Sequence, residues 1–370
     1  MKIKKISALF LSVIVILSFY AFEPRSEAQG EAAAGTRIVT DVWGRNVEIP
    51  AAVKSIICLG SGAPRMAAYL NVIGMMTGGE EIDVDIAVIR DYNPVYHEAL
   101  NKLPIAGRGG GSGNNNGYPE EIIMAAPDVI LAAFSHEAAD ELFSQTGIPV
   151  VSVRYFSNNF ADETFYRAMR VFAEVAGARE RCEAVLSFID ERKKDLNERT
   201  ADIPDSRKLR AYTGAVTFNG RQGFAGTYAN FGPFMAINAL NVADEVNEAG
   251  FFHVDLEKAI VWDPDVIFLD PGNMDIVNDE YSTNPSYFDS LRAVREGRVY
   301  TMPALNHAAM NMTYAIMNAY YAGTVLFPER FADIDIAEKS AEILTFFLGQ
   351  NTYDIMAEGG LYYGTIKIGE

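Results

Sequence analysis

The chain reads Glu120-Glu-Ile-Ile-Met-Ala-Ala-Pro-Asp-Val-Ile130 and later Glu257-Lys-Ala-Ile-Val-Trp-Asp-Pro-Asp-Val-Ile267, two copies of the pattern Glu-x-x-Ile-x-x-x-Pro-Asp-Val-Ile. Each copy predicts a short helix, a Pro-Asp turn and a buried strand. Solenoid repeats recur every ~20–50 residues, whereas these copies lie a whole domain apart. The spacing therefore predicts two lobes built on one plan.

The segments around the first copy alternate between strand and helix. Ser55–Leu59 predicts a buried strand before it, and Glu137–Thr146 and Val150–Val153 predict a helix and a strand after it. Such alternation indicates an α/β lobe with a parallel sheet. The stretch 162–200 then predicts a long helical segment with a joint at Gly177, between two lobes of like construction.

The N-terminus predicts a targeting segment. Lys2, Lys4 and Lys5 precede an apolar run over residues 6–22, and Ser26-Glu-Ala28 fits a cleavage site. We expect a signal peptide over residues 1–28, with an uncleaved anchor as the alternative. No cysteine precedes Cys58, so the lipid anchor of bacterial lipoproteins is not expected, and a periplasmic location is.

Charge and length narrow the class of protein. The net charge of −18 argues against nucleic acid or an anionic membrane surface as partners. The length favours two domains, with an N-terminal lobe over 29–158, a connecting helical segment over 159–203 and a C-terminal lobe over 204–370. Cys58 and Cys182 are interpreted as buried thiols, although a disulfide after export stays open.

Several further stretches carry a family resemblance. They are Asp41-x-x-Gly-Arg-x-Val-x-Ile-Pro50, the strand Ser55–Leu59, the segment 291–300 and Pro328-Glu-Arg-Phe331, together with both repeat copies. In this order they resemble the ABC-transporter periplasmic solute-binding proteins of the helical-backbone class. That family takes up iron–siderophores, haem and vitamin B12.

The resemblance implies two Rossmann-like α/β lobes with mainly parallel sheets, joined by a single long α-helix, with the ligand held between them. It also implies that Glu120 and Glu257 dock a monomeric binding protein onto arginine pockets of a dimeric permease in the inner membrane. Charge-assisted pairs of this kind give orientation and a fast association rate. The alternative is that both glutamates only complement the helix dipole.

Ligand contacts are expected from loops at the strand ends that face the cleft between the lobes. Arg65 stands where many relatives have a glutamate, and could face an anionic chelate or simply solvent. The N-lobe candidates are Ser61, Arg65, Arg108 and Asn114; the C-lobe candidates are Phe224, Thr227, Tyr228, Phe251, Phe252 and His253; Asn306, His307 and Met310 follow a late strand. Core packing is the alternative for the aromatic residues.

The histidines show no metal motif. None of His97, His136, His253 and His307 lies four residues from another, so no helical metal pair is present. His253 and His307 are the candidates for a metal site formed from two loops, with ordinary hydrogen bonding as the alternative.

We therefore expect a binding component of an ABC importer that carries an iron chelate, Fe(III)–siderophore first, without a cofactor of its own. Cobalamin or another corrinoid, haem and a small Ni or Co chelate are alternative cargoes. A chelatase-type enzyme or a ligand sensor are alternatives of another class. The sequence offers no nucleophile–base motif or cofactor loop for an enzyme.

Overall fold

Two parallel β-sheets organise the chain. The computed structural model describes residues 35–111, 113–155, 160–246 and 249–370. The strands are β1 (Thr36–Thr40), β2 (Asn46–Pro50), β3 (Ile56–Leu59), β4 (Met76–Glu80), β5 (Ile105–Gly107), β6 (Val129–Ala132), β7 (Val150–Ser152), β8 (Arg210–Gly214), β9 (Gly226–Ala229), β10 (Leu240–Asn241), β11 (Gly250–His253), β12 (Val266–Leu269) and β13 (Val299–Thr301).

The first sheet has the order β5-β4-β3-β6-β7 and the second has the order β10-β8-β12-β13. Neighbouring strands are parallel throughout both sheets. Two antiparallel pairs, β1 with β2 and β9 with β11, accompany them. The predicted α/β class with two mainly parallel sheets is confirmed.

Helices cover the sheets and connect them. They are α1 (Ala63–Tyr69), α2 (Asn93–Leu100), α3 (Pro119–Ala125), α4 (His136–Thr146), α5 (Glu163–Ala176), α6 (Arg179–Glu198), α7 (Gly232–Ala236), α8 (Leu256–Trp262), α9 (Met274–Thr283), α10 (Pro285–Ser290), α11 (Arg292–Arg295), α12 (Met312–Leu326), α13 (Ile336–Leu348) and α14 (Tyr353–Glu358). Among the described residues, no helix combines the length and apolar character needed to cross a membrane.

The repeated pattern folds the same way twice. Each copy forms a seven-residue helix, α3 or α8, that ends in a left-handed residue directly before the proline, Ala126 with φ 44° and Asp263 with φ 39°. Proline cannot continue a helix, so the chain turns there. The following aspartate accepts the backbone N–H at the start of the neighbouring strand: Asp128 from Ser55 and Asp265 from Arg210, at 3.0 and 2.8 Å. The Pro-Asp turn thus joins a helix to two adjacent strands.

The segment between the sheets contains α5 and α6, which meet at Gly177 in the left-handed region with φ 70°. Asp162 caps α5 by accepting the N–H groups of Thr164 and Phe165. Helix α6 has 20 residues and packs against α5, α7 and α12. The break at Gly177 follows the sequence prediction, and α6 is the element that leads from the first sheet to the second.

The core is continuous between the two sheets. Helix α12 is buried on nearly every side, which explains why its sequence is apolar all round. It packs against α6, α7 and α13, and its residues belong to one core cluster with Ile56 of β3 and Phe268 of β12. Residues 35–370 form one compact unit. The lobe boundaries stay predictions, as does the signal peptide, which lies outside the described residues.

Candidate functional site

Loops from both sheets meet at Gly62. This residue follows β3 and has φ 92°; a Cβ there would lie 2.8 Å from the Tyr155 hydroxyl and 3.1 Å from Cβ of Ala309. Tyr155 follows β7 of the first sheet, and Ala309 follows β13 of the second. Because a side chain at Gly62 would clash, glycine allows the strand-end edges of the two sheets to approach each other. Open α/β sheets bind ligands at such edges.

The structure corrects the expectation that Arg65 faces a ligand. Its side chain is 1 % exposed. Its Nε donates to Asp91 at 2.8 Å, Nη1 to the carbonyl of Ala308 at 2.8 Å, and Nη2 to the carbonyl of His307 at 3.0 Å and to Oδ1 of Asn311 at 2.7 Å. The guanidinium is therefore occupied by bonds that join the two halves of the chain.

Asp91 extends this connection. Its Oδ2 accepts from the Thr313 hydroxyl at 2.7 Å and from the Tyr69 hydroxyl, and its N–H donates to Asn311 at 3.2 Å. Asp91, Asn311 and Thr313 are fully buried. We call Arg65, Asp91, Asn311 and Thr313 the interlobe network. It fixes the β13–α12 loop against α1.

The other N-lobe candidates lie nearer the surface. The Ser61 hydroxyl donates to the carbonyl of Gly111, so the loop after β3 holds the glycine-rich loop 107–117. Arg108 and Asn114 are exposed on that loop. Arg108 and Asn114 therefore lie on one loop at the carboxyl edge of the first sheet, and Ser61 contacts that loop. Their role as ligand contacts stays a prediction.

Two C-lobe candidates belong to the core. Phe224 is 1 % exposed and packs edge-on against Phe288, with ring centroids 5.3 Å apart. Thr227 is fully buried and donates to the carbonyl of Thr213 at 2.6 Å. The structure corrects both expectations. An aromatic pattern in sequence does not distinguish a core wall from a pocket wall.

The remaining C-lobe candidates form an aromatic group. Phe251 stacks on Phe218 with ring centroids 4.9 Å apart, and Tyr228 meets Phe251 edge-on at 5.9 Å. Phe252 packs against the second core cluster. His253 is exposed and exchanges a 2.9 Å hydrogen bond with Gln222. The partly exposed phenylalanines of the group are Phe218, Phe251 and Phe252.

The loop after β13 places its three candidates differently. Asn306 is within 3.5 Å of the Tyr228 hydroxyl, and both line a cavity of about 20 Å³ at the strand ends of the second sheet. That volume holds about one water molecule. Nδ1 of His307 is buried without a hydrogen-bond partner. Burial, together with the nearby charges of Arg90 and Arg65, lowers the pKa of His307 to about 4. Met310 is buried at 1 % exposure, which corrects its role as an open contact.

Within the described ranges, no group of three His, Cys, Asp or Glu side chains is arranged to hold a metal ion. His253 and His307 thus gain no support as metal ligands. Cys58 and Cys182 are both free and buried, as the sequence predicts.

Arg154 is a partly buried strand-end residue that the sequence prediction missed. It lies two residues after β7, and its guanidinium packs on Gly113, where an added Cβ would stand 1.9 Å from Nη1. Gly113 belongs to the same 107–117 loop that Ser61 contacts. The available signal was position: Arg154 directly follows a predicted strand, where ligand contacts are expected.

Two buried carboxyl groups at the strand ends were also missed. Glu80 ends β4 and accepts the N–H of Gly60 at 2.6 Å; burial raises its pKa to about 8, and Asp83 contributes. Asp270 follows β12 and lines the small cavity; burial raises its pKa to about 6. The signal for both was again the strand-end position, and nothing in the local pattern showed that they are enclosed.

The repeat glutamates occupy equivalent places. Glu120 and Glu257 are exposed in the first turns of α3 and α8. Asp255 caps α8 by accepting the N–H of Glu257 at 2.9 Å. Two like carboxylates thus stand on two like helices.

Two parallel sheets with facing strand ends, joined by a helical segment, define a bilobal solute-binding protein. The comparisons agree, since a family model described as periplasmic binding protein matches residues 78–305. The chain belongs to this family, whose members are solute-binding components of ABC transporters rather than enzymes, and work with a membrane permease.

Individual relatives are distant. Molybdate-binding protein MolA of Haemophilus influenzae is 22 % identical over 338 residues, which cover 82 % of this chain and 89 % of MolA. A periplasmic solute-binding protein from Veillonella parvula has a TM-score of 0.68 at 18 % identity, covering 88 % of this chain and 97 % of that one. Helicobacter pylori CeuE, solved with Ni–His, has a TM-score of 0.61 at 17 % identity, covering 89 % and 100 %.

Proposed function

We propose that this chain carries an anionic metal complex, in the first place a ferric chelate of the siderophore type, from the periplasm to an ABC permease. Arg154 and Arg108 support an anionic cargo, because Arg108 lies on the glycine-rich loop at the strand ends of the first sheet and Arg154 packs against that loop. Arginine suits carboxylate and oxyanion groups through its planar set of donors. This cationic rim is the observation that carries the proposal.

A cargo whose metal is already coordinated also fits the donors. Within the described residues no cluster of metal-ligating side chains is present, so the protein would have to recognise a complex by its surface. Phe218 and Phe251 offer an aromatic wall for the apolar part of a chelate. A bare Ni²⁺ or Co²⁺ ion has less support than a complete chelate. Corrinoid and haem remain alternative cargoes that the same wall would accept.

Molybdate is a second candidate. The Haemophilus influenzae relative that is 22 % identical is a molybdate-binding protein, and an oxyanion would use the same arginines without needing the aromatic wall. The two candidates therefore differ in their dependence on Phe251.

The first experiment is native mass spectrometry, with a visible spectrum, of protein purified from its own periplasm. A bound mass with a ferric charge-transfer band supports the siderophore proposal. A colourless oxyanion supports molybdate, and a corrinoid or haem spectrum changes the cargo while keeping the transport role. A bare metal ion contradicts the proposal of an anionic complex.

A matched pair of arginine variants tests the cationic rim. Arg154→Gln should weaken binding of the recovered anion, or of molybdate used as the probe, by about tenfold or more, since a hydrogen bond to a charged group contributes ~1.5–3 kcal/mol. Arg170→Gln is the control, because Arg170 is exposed on α5 and pairs with Glu183. Equal affinities for both variants, measured by calorimetry, would refute the assignment of Arg154.

We also propose that Glu120 and Glu257 dock the protein onto arginines of the permease dimer. Their exposure and equivalent placement support this. The variant with both glutamates changed to Gln should lose most of its affinity for the permease in nanodiscs and most of the salt dependence of that affinity. Undiminished binding and transport would rule the role out.

A further inference from the structure

The two most exposed large apolar side chains among the described residues occupy the same position of the two repeat copies. Met124 is 77 % exposed and Val261 is 76 % exposed. The residue before each is also apolar and exposed, Ile123 at 49 % and Ile260 at 39 %. Single exposed apolar residues are ordinary on protein surfaces. A pair of them at the same two positions of two equivalent helices is not expected by chance.

These residues share a helix face with the glutamates. Ile123 and Met124 lie three and four residues after Glu120, and Ile260 and Val261 stand in the same relation to Glu257. Side chains at these spacings are neighbours on a helix surface. We call each glutamate with its two apolar residues a docking triad.

The core does not explain the apolar choice. Each helix turns another residue inward, Ile122 in α3 and Ala259 in α8, both nearly or fully buried. The opposite face of a surface helix ordinarily carries polar residues. The charged neighbours differ between copies, Glu121 in one and Lys258 in the other, whereas the apolar positions match. The apolar pair is thus the part of the surface that both copies share with the glutamate.

We propose that the two docking triads bind the permease through apolar contacts as well as through the glutamates, each triad seated on one half of the permease dimer. This inference rests on the proposed docking role of Glu120 and Glu257 and adds the chemistry of the partner's site. Each permease half would present an apolar hollow beside a basic group. Buried apolar residues at the centre of an interface contribute most of its affinity, while surrounding charges give orientation.

The charge of the chain favours the permease over a second copy of the chain and over a lipid surface as the partner of the docking triads. A second copy of this chain would bring four glutamates together at one interface, and like charges oppose such contact. A lipid surface with anionic headgroups would repel a chain of net charge −18. A partner with two equivalent sites, each basic and apolar, would bind both triads at once. Because the family works with a membrane permease, a permease dimer is the partner that fits.

The test compares three double variants of the full-length mature protein against its own permease in nanodiscs. Met124→Ser with Val261→Ser should weaken permease binding by about tenfold or more, which corresponds to ~1.4 kcal/mol, while leaving its salt dependence unchanged. Met235→Ser with Ile355→Ser is the matched control, because both residues are exposed on other helices, at 52 % and 40 %. It should bind as the unchanged protein does. Glu120→Gln with Glu257→Gln should instead flatten the salt dependence.

The possible outcomes distinguish the apolar contact of the triads from the docking role of Glu120 and Glu257. Weakening by the glutamate variant alone would overturn the apolar contact and leave glutamate docking standing. Weakening by the serine variant alone would uphold the apolar contact and remove the glutamate role. Unchanged binding in both would overturn both. A dimer of the unchanged protein in sedimentation, abolished by the serine variant at constant permease affinity, would assign the face to a second copy and overturn the inference.

Discussion

Buried carboxylates at the facing edges of the two halves are satisfied in different ways. Asp91 is held by the charged guanidinium of Arg65, and two of its other bonds reach Thr313 and Asn311 in the other half of the chain. Asp270 accepts from donors of its own half, the Thr217 hydroxyl at 2.7 Å and the N–H of Gly272 at 3.0 Å. The first arrangement joins the halves, and the second stays within one.

The difference teaches how each carboxylate bears on stability. An ionised group taken out of water needs a charged partner or several donors, and otherwise tends to take up a proton. Glu80, with one backbone donor from Gly60, and Asp270, with mainly neutral donors, both have a raised pKa because of burial. The interlobe network should therefore stabilise the packing of the two halves against each other. Glu80 and Asp270 should make the free energy of unfolding depend on pH.

The largest effect is expected from Arg65→Met. The substitution keeps the apolar stem but leaves Asp91 buried without its charged partner, and it frees the carbonyls of His307 and Ala308. Breaking one side of a buried ion pair costs ~3–5 kcal/mol. Urea unfolding followed by circular dichroism should show the loss.

Arg170→Met is the matched control for the buried pair. Arg170 and Glu183 form an ion pair 2.9 Å apart, but both side chains are more than half exposed. Exposed pairs contribute at most ~1 kcal/mol, so this variant should unfold close to the unchanged protein. Similar losses in the two variants would contradict the distinction between the interlobe network and an ordinary surface pair.

The sequence predicted much of the fold and little of this network. The two copies of the Pro-Asp pattern predicted both sheets because each copy is local: helix, turn and strand follow one another within eleven residues. The partners of Arg65 are not local. Asp91 lies in a stretch without clear periodicity, and Asn311 lies 246 residues after Arg65 in the sequence. Such contacts are set by how the halves pack, which one sequence does not reveal.

The candidate site was predicted to a similar extent. Strand-end position led to Ser61, Arg108 and Asn306, which follow β3, β5 and β13 in the structure; their role as ligand contacts stays a prediction. The same reasoning failed for Phe224, whose pattern is equally that of a core residue. It passed over Arg154, since position alone was not applied to every strand.

The next effect concerns pH. The pKa of Glu80 is about 8 in the folded protein against 4.5 for the free group, so the folded state holds a proton that the unfolded state releases. Its contribution to stability is fully present below pH ~4.5 and is lost as the pH rises through ~8, by up to ~1.4 kcal/mol for each pH unit between.

Glu80→Gln keeps an acceptor for Gly60 and should remove this loss. Unfolding free energies measured from pH 4 to 9 should diverge steadily, with the variant the more stable at high pH. Parallel curves would show that the pKa of Glu80 is the same in the folded and the unfolded protein, so that burial does not oppose its ionisation.

The smallest effect is expected from Asp270→Asn. Burial raises the pKa of Asp270 to about 6, against 3.8 for the free group. Stability should therefore fall as the pH rises from ~4 to ~6, which is a narrower and more acidic interval than the one for Glu80. The amide also gives up one accepted bond, which costs ~1 kcal/mol at every pH. The unchanged protein should therefore be the more stable at acid pH, its curve should cross that of the variant between pH ~4 and ~6, and above that interval the two should run parallel with the variant the more stable. If instead the unchanged protein gains on the variant across that interval, the donors of Thr217, Gly272 and Asn273 stabilise the carboxylate more strongly than burial opposes it. Asp270 would then be a carboxylate held in its charged form by donors of its own half, and its contrast with Asp91 would reduce to whether the hydrogen-bond partners lie in the same half or in the other.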